Sequence, residues 1–101
     1  MIKTTMHFSM DVDGPEPLSK FVFRITPRGG ANRPYAVALA DSFKRCEVLR
    51  PHLAKCEART SSVVLWVRPS IAATRAVLAW MRETREAAGQ QGVPFALAAA
   101  G

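Results

Sequence analysis

The chain has 101 residues, 49% of them hydrophobic, and a formal net charge of +6 with a pI near 10.2. This length fits a single domain over residues 1–101 with a small apolar core. The composition excludes collagen-like, disordered and disulfide-dense chains, and no apolar run approaches the roughly 20 residues that span a bilayer. The N-terminus lacks the apolar middle region of a signal peptide, so we expect a cytoplasmic protein.

The positive charge is unevenly distributed. Arginine outnumbers lysine ten to four, and residues 20–59 carry nine basic side chains against three acidic ones. Such a surplus favours a polyanionic or acidic partner, because Arg and Lys gain Coulomb energy and release counterions when they meet phosphates. A basic surface that serves only solubility is the alternative interpretation.

The first quarter of the chain predicts two strands. Residues 2–10 alternate, with Met6, Phe8 and Met10 on one face and His7 and Ser9 on the other, which indicates a half-buried strand. The following stretch, DVDGPEPLS, contains a glycine and two prolines and is predicted to be a loop. Residues 21–26, FVFRIT, predict a second strand, so the two strands are expected to form a hairpin with a long connection.

The apolar period changes at Pro34 and predicts a helix. Asn32 is a candidate N-cap and Pro34 suits the first turn, while Pro51 ends the helix near Leu49. An alternative makes YAVALA a strand and begins the helix at Ser42. The predicted buried face consists of Tyr35, Leu39, Phe43, Cys46 and Leu49.

Residues 61–69, SSVVLWVRP, predict the clearest strand, and Ser70 then caps a second helix that ends at Gly89. PFALA predicts a short closing strand. The predicted buried stripe of this helix consists of Ile71, Thr74, Val77, Leu78 and Met81, with Trp80 beside it.

If KCEART contributes another strand, residues 21–98 follow the order β-α-β-β-α-β, the ferredoxin-like arrangement. We therefore predict an α+β fold: a small two-layer sandwich in which an antiparallel sheet of four or five strands carries two helices on one face.

The uncovered face of that sheet is the main candidate site. If Phe21, Phe23 and Ile25 face the helices, alternation turns Arg24, Trp66 and Arg68 outward, where neighbouring strands would bring them together. Trp and Arg are typical anchors of protein interfaces, and aromatic and basic residues on a sheet also bind single-stranded nucleic acid. The alternatives are that another element covers this face, or that Trp66 belongs to the core through a one-residue register shift.

A second candidate is the strand-to-helix corner PRGGANRP. The backbone N–H groups of Gly29 and Gly30 at a helix N-terminus, with Arg28 and Arg33 nearby, suit an anion or phosphate. The corner lacks both the P-loop and the GxGxxG spacing. A plain connector is the alternative interpretation.

Metal and catalytic sites are not predicted. Cys46, His52 and Cys56 lack a fourth nearby ligand, whereas zinc sites usually have four. His7 and His52 have no adjacent nucleophile with a matching acid. We therefore expect no cofactor and no enzymatic activity.

The functional hypothesis is a non-enzymatic binding module, a protein–protein interaction or inhibitor protein of the size that phages and mobile elements encode. A nucleic-acid-binding module is the alternative, and a small enzyme acting on a phosphorylated substrate at PRGGANR is a weaker one. Exposed sheet edges are also compatible with a homodimer. With Trp66 as an exposed anchor, Trp66→Ala is expected to cost partner affinity and leave the fold intact.

Overall fold

A computed structural model describes residues 2–26, 32–90 and 95–100, and the side chains of residues 4–26 and 32–83. Within this part of the chain, no helix is both long and apolar enough to cross a membrane. The described elements are, in chain order, β1 (Ile2–Asp11), β2 (Leu18–Thr26), α1 (Arg33–Arg45), a 3-10 turn (Arg50–His52), β3 (Leu53–Ala58), β4 (Ser62–Val67), α2 (Ile71–Gln90) and β5 (Phe95–Ala100).

The strands form one sheet in the order β3-β4-β2-β1-β5. The first four strands pair antiparallel, and β5 pairs parallel with β1. The predicted α+β sandwich with two helices on one face is confirmed, but the strand order departs from the ferredoxin-like one. In that arrangement β5 would adjoin β2; here β1 lies between them. The hairpin connection, residues 12–17, is shorter than predicted, because the paired strands extend to Asp11 and Leu18. It lets β1 pair with the edge of β2 at little entropic cost.

An aromatic cluster joins both helices to the sheet. The rings of Phe43 on α1 and Trp80 on α2 stack with centroids 3.9 Å apart. Phe23 of β2 lies 4.9 Å from Phe43 and 5.9 Å from Trp80. Around this cluster, the inner face of the sheet contributes Phe21, Ile25, Val63, Leu65 and Val67 to the core.

The first helix follows the main prediction at its start and departs from it at its end. It begins after the N-cap residue Asn32, so the alternative in which YAVALA is a strand is wrong. It ends at Arg45, with Cys46 as C-cap, four residues before the predicted end at Leu49. Leu49 is nevertheless fully buried, because the turn after the helix returns it to the core.

The second helix has the predicted cap and a different buried stripe. Ser70 Oγ accepts a hydrogen bond of 2.9 Å from the backbone N–H of Ala73. Ile71 and Leu78 are 74% and 46% exposed, so their predicted burial is wrong. Alanines on the inner face let the helix approach the sheet closely, and Trp80 then fills the space against Phe43. The buried residues are Ala73, Ala76, Val77, Trp80 and Met81.

A one-residue bulge sets the orientation of β3. Leu53 pairs with Val67 and Lys55 with Trp66, so two steps on β3 match one step on β4, and Ala54 is the extra residue. In an unbulged strand Lys55 would face the helices and Cys56 would face solvent. The bulge reverses both, so that Lys55 and Glu57 lie outward and Cys56 packs against the core.

We therefore predict that deleting Ala54 lowers the free energy of unfolding by roughly 3 kcal/mol or more, because the regular register buries the Lys55 ammonium without a partner. Ala54→Gly keeps the extra residue and is the matched control, with an expected loss below about 1 kcal/mol. Urea denaturation measures both. Equal stability of the deletion variant and the wild type would show that the bulge does not fix the face of β3.

Candidate functional site: the open sheet face

We call the side of the sheet opposite the helices the open face. Three cross-strand pairs of β2 and β4 define its centre: Lys20 with Trp66, Val22 with Val64, and Arg24 with Ser62. The residues between them, including Phe21 and Leu65, belong to the core under the helices. The alternation expected from the sequence therefore holds in both strands, and Trp66 lies on the open face.

Trp66 is nevertheless a buried side chain, with 8% of its surface exposed. Lys20 and Lys55 flank it from the two neighbouring strands, with their Nζ atoms 5.7 Å and 5.0 Å from the ring centroid. We call these three residues the Lys-Trp-Lys row. Cation–π contacts of this kind contribute about 0.5–1 kcal/mol each at exposed sites, and the aliphatic stems of lysines cover apolar surface. The row presents ammonium groups where an exposed indole was expected.

The edge of the indole is held by an acidic residue at the end of β1. Trp66 Nε1–H donates to Asp11 Oδ2 at 2.9 Å, and the backbone N–H of Asp13 donates to Asp11 Oδ1 at 3.1 Å. These two hydrogen bonds, the Asp13 N–H first, and the charge of Lys20 lower the pKa of Asp11 below its ordinary value. The carboxylate thereby ties the β1–β2 connection to β4.

The structure does not bring Arg24, Trp66 and Arg68 together. Arg24 pairs with Ser62, four residues along β4 from Trp66 and thus about 13 Å away. Arg68 lies at the opposite end, about 20 Å from Arg24 along the strand direction, where its guanidinium donates to the Pro51 carbonyl oxygen at 3.3 Å. The cations over the ring of Trp66 are therefore Lys20 and Lys55, and Arg24 is not among its neighbours. The sequence analysis missed both lysines. The orientation of Lys20 could have been predicted, because alternation with Phe21 turns it outward. That of Lys55 could not, because only the bulge turns it to the open face.

An open groove of about 640 Å³ lies at the Arg24 end of the open face. Among the described residues, three basic side chains line it, Lys20, Arg24 and Arg59, and no carboxylate does. The remaining lining residues are Val22, Ile25, Thr26, Thr60, Ser61 and Ser62. We call it the cationic groove. Its chemistry, guanidinium and ammonium groups beside hydroxyls, suits oxyanions.

The turn between β3 and β4 forms one wall of this groove and is fixed by backbone hydrogen bonds. The N–H of Arg59 donates to the Ser62 carbonyl oxygen at 2.7 Å, and the N–H of Ile25 donates to the Ser61 carbonyl oxygen at 2.8 Å. Arg59 Nε–H also donates to Glu57 Oε1 at 3.3 Å. The wall is thus attached to β2 before any ligand arrives.

The other end of the sheet has a different electrostatic character. A smaller cavity of about 290 Å³ has Arg68 in its lining together with two carboxylate side chains, Asp11 and Glu16. Mixed charge of this kind gives no net attraction for an anion. Of these two cavities, only the groove at the Arg24 end therefore has the chemistry that suits an anion.

The predicted anion corner is only partly described. Arg28, Gly29 and Gly30 lie outside the described residues. Arg33, at the start of α1, is exposed, and its guanidinium donates to the Ala58 carbonyl oxygen at 3.1 Å. Arg33 thus lies beside the residue that precedes Arg59, close to the cationic groove.

The cysteines and His52 have structural surroundings. Cys46 and Cys56 are free thiols, and Cys56 Sγ lies 3.9 Å from the Ala40 carbonyl oxygen, where burial raises the pKa of the thiol. His52 ends the 3-10 turn and Cys56 lies in β3, so the two residues do not share a helical turn on which they could bind one metal ion. Among the described residues, no group of three or more His, Cys, Asp or Glu side chains is placed to hold a metal ion.

No protein-family model, curated protein or solved structure matches this chain.

We predict that Trp66→Ala lowers the free energy of unfolding by about 3 kcal/mol, because it empties a buried site between two lysine stems. This reverses the expectation for an exposed anchor. Leu78→Ala, which truncates a half-exposed side chain on α2, is the control and should cost less than about 1 kcal/mol. Thermal and urea denaturation test both variants; a fully stable Trp66→Ala protein would contradict the burial of the indole.

We predict that the free energy of unfolding falls with pH in the acidic range because Asp11 becomes protonated. Its pKa is lower in the folded protein than in the unfolded chain, so its contribution is present above the unfolded pKa and is lost as the pH falls through the folded one. The stability difference between wild type and Asp11→Asn should therefore be constant near neutrality and shrink below about pH 4. Asp13→Asn, an exposed neighbour, is the control. Urea titrations at several pH values measure it; a difference independent of pH would contradict the assigned role.

Proposed function

We propose that the protein is a non-enzymatic binding module that holds an acidic surface of a partner protein against its open face. The observation that carries the proposal is the Lys-Trp-Lys row, in which a buried indole fixes two ammonium groups at the centre of an uncovered sheet. Lysine side chains lose rotamer freedom when they bind. Because stacking on the indole already restricts Lys20 and Lys55, part of that cost is met before the partner arrives.

The charge around the row supports an acidic partner. Arg24 and Arg59 extend the basic surface from the row along the sheet. Glu57 is shared between Lys55, at 3.8 Å, and Arg59, at 3.3 Å. Exposed pairs of this kind are weak, so a partner carboxylate exchanges with Glu57 at little cost. Interleaved charges also set register and exclude wrong partners.

A protein partner is favoured over nucleic acid by the state of the aromatic residue. Single-strand platforms depend on bases that stack on exposed rings. Trp66 is covered on the open face, and β2, β3 and β4 direct no other aromatic side chain to that side. The cationic groove favours nucleic acid as the second candidate, because it would hold backbone phosphates without stacking.

The test is affinity capture from a bacterial lysate with and without nuclease, at low and moderate salt. The bait is the wild type, the double variant Lys20→Glu/Lys55→Glu, or Arg75→Glu/Arg82→Glu, which makes the same charge change on exposed positions of α2. We expect a nuclease-resistant protein that both the wild type and the α2 variant retain and the Lys20/Lys55 variant loses. Urea denaturation establishes that each bait is folded.

The other results decide against the proposal. The nucleic-acid alternative would be established if nuclease removes the captured material from the wild type and the Lys20/Lys55 variant does not capture it. Equal capture by all three baits, or equal loss in both double variants, would show that the row has no specific role and that only net charge acts.

A further inference from the structure

We infer that the cationic groove is a binding site for a phosphomonoester, a phosphate group carried by a small molecule or by a phosphorylated side chain of the partner. The groove gathers the Lys20, Arg24 and Arg59 side chains around one open volume of about 640 Å³, and no carboxylate is among its described lining residues. In its phosphorylated-side-chain form the inference rests on the proposed function; in its small-molecule form it does not.

The charge of the lining is the first argument. Three cations facing one cavity repel one another, and a ligand with two negative charges relieves that repulsion more than a singly charged carboxylate does. Guanidinium groups form paired hydrogen bonds with phosphate oxygens, which gives two arginines a specific advantage here. A phosphomonoester carries close to two negative charges at neutral pH and offers three terminal oxygens.

The hydroxyl groups are the second argument. Thr60, Ser61 and Ser62 follow Arg59 in the turn that walls the groove, and Thr26 lines it from the end of β2. Hydroxyls donate to phosphate oxygens beyond those that the arginines engage. A lining of this composition favours an oxyanion over an apolar ligand, since Val22 is the apolar side chain that the open face contributes to the groove.

Fixed geometry is the third argument. The Ser61 carbonyl oxygen is bonded to β2 and the Ser62 carbonyl oxygen to Arg59, which holds the Arg59 backbone in place. Arg24 lies on a central strand, where it pairs with Ser62. Both arginines therefore project from backbone that does not need to order on binding, so more of the electrostatic gain remains as affinity.

Glu57, next to the groove, is a competitor of the phosphate for Arg59. Its carboxylate accepts from Arg59 Nε–H at 3.3 Å and is not itself part of the groove lining. A phosphate dianion attracts the Arg59 guanidinium more strongly than this exposed carboxylate does, because the attraction scales with the product of the charges. Removing the competitor with Glu57→Gln is therefore expected to tighten phosphate binding.

The experiment is a titration followed by the amide resonances of the folded protein at constant ionic strength. The probes are inorganic phosphate, phosphoserine, and dimethyl phosphate as a singly charged diester that stands for a nucleic-acid backbone. We expect saturable shifts in residues 59–62 with phosphate and phosphoserine, and about tenfold weaker binding of dimethyl phosphate. Arg24→Gln and Arg59→Gln should each weaken phosphate binding about tenfold. Arg68→Gln makes the same charge change outside the groove and should leave it unchanged.

Each remaining outcome overturns the inference. Shifts that do not saturate, or that weaken equally in all three arginine variants, would mean nonspecific attraction to a basic protein. Equal affinity for the diester and the monoester would show that the groove binds nucleic-acid backbones as well as phosphomonoesters, against the inference. The titration contains no partner protein, so it can succeed while capture through Lys20 and Lys55 fails, and capture can succeed while the titration fails.

Discussion

A two-layer sandwich covers only one face of its sheet, and this protein places a tryptophan on the other. The described residues form no third layer, so an indole on this face loses its contact with water to side chains of the same sheet. Lys20 and Lys55 supply the cover and Asp11 accepts the indole N–H. The residues that bury Trp66 are charged, so the side chains that solve a packing problem also determine the charge of the open face.

The bulge at Ala54 makes this solution available. An edge strand with the sequence LAKCEA has two residues that need the core, Leu53 and Cys56, separated by an odd number of positions. Strict alternation satisfies only one of them. One extra residue satisfies both and turns Lys55 towards Trp66. Edge strands tolerate such irregularity and are also protected by it against pairing with other chains.

The sequence was most informative where one residue decides an element. Ser70 predicted its cap, and alternation in FVFRIT and SVVLWV predicted which residues lie on each face. It was least informative where distant residues compete. The strand order depends on whether β1 or β5 pairs with the edge of β2. The buried stripe of α2 depends on how Trp80 packs against Phe43. The burial of Trp66 depends on Lys55, whose orientation follows from a bulge. The local sequence pattern contains no information on these three long-range contacts.

Lys20 links the two halves of the open face. It covers the indole of Trp66 from β2, with its Nζ 5.7 Å from the ring, and it also lines the cationic groove. An anion in the groove attracts the same ammonium that stacks on the ring, so occupancy of the groove and exposure of the indole are coupled through one side chain. By reciprocity, the proposed partner, on engaging Lys20 at the row, would change the affinity of the groove for the proposed anion by the same factor. In the proposed function, the two halves of the open face are therefore thermodynamically connected, although Arg24 and Arg68 lie at its opposite ends.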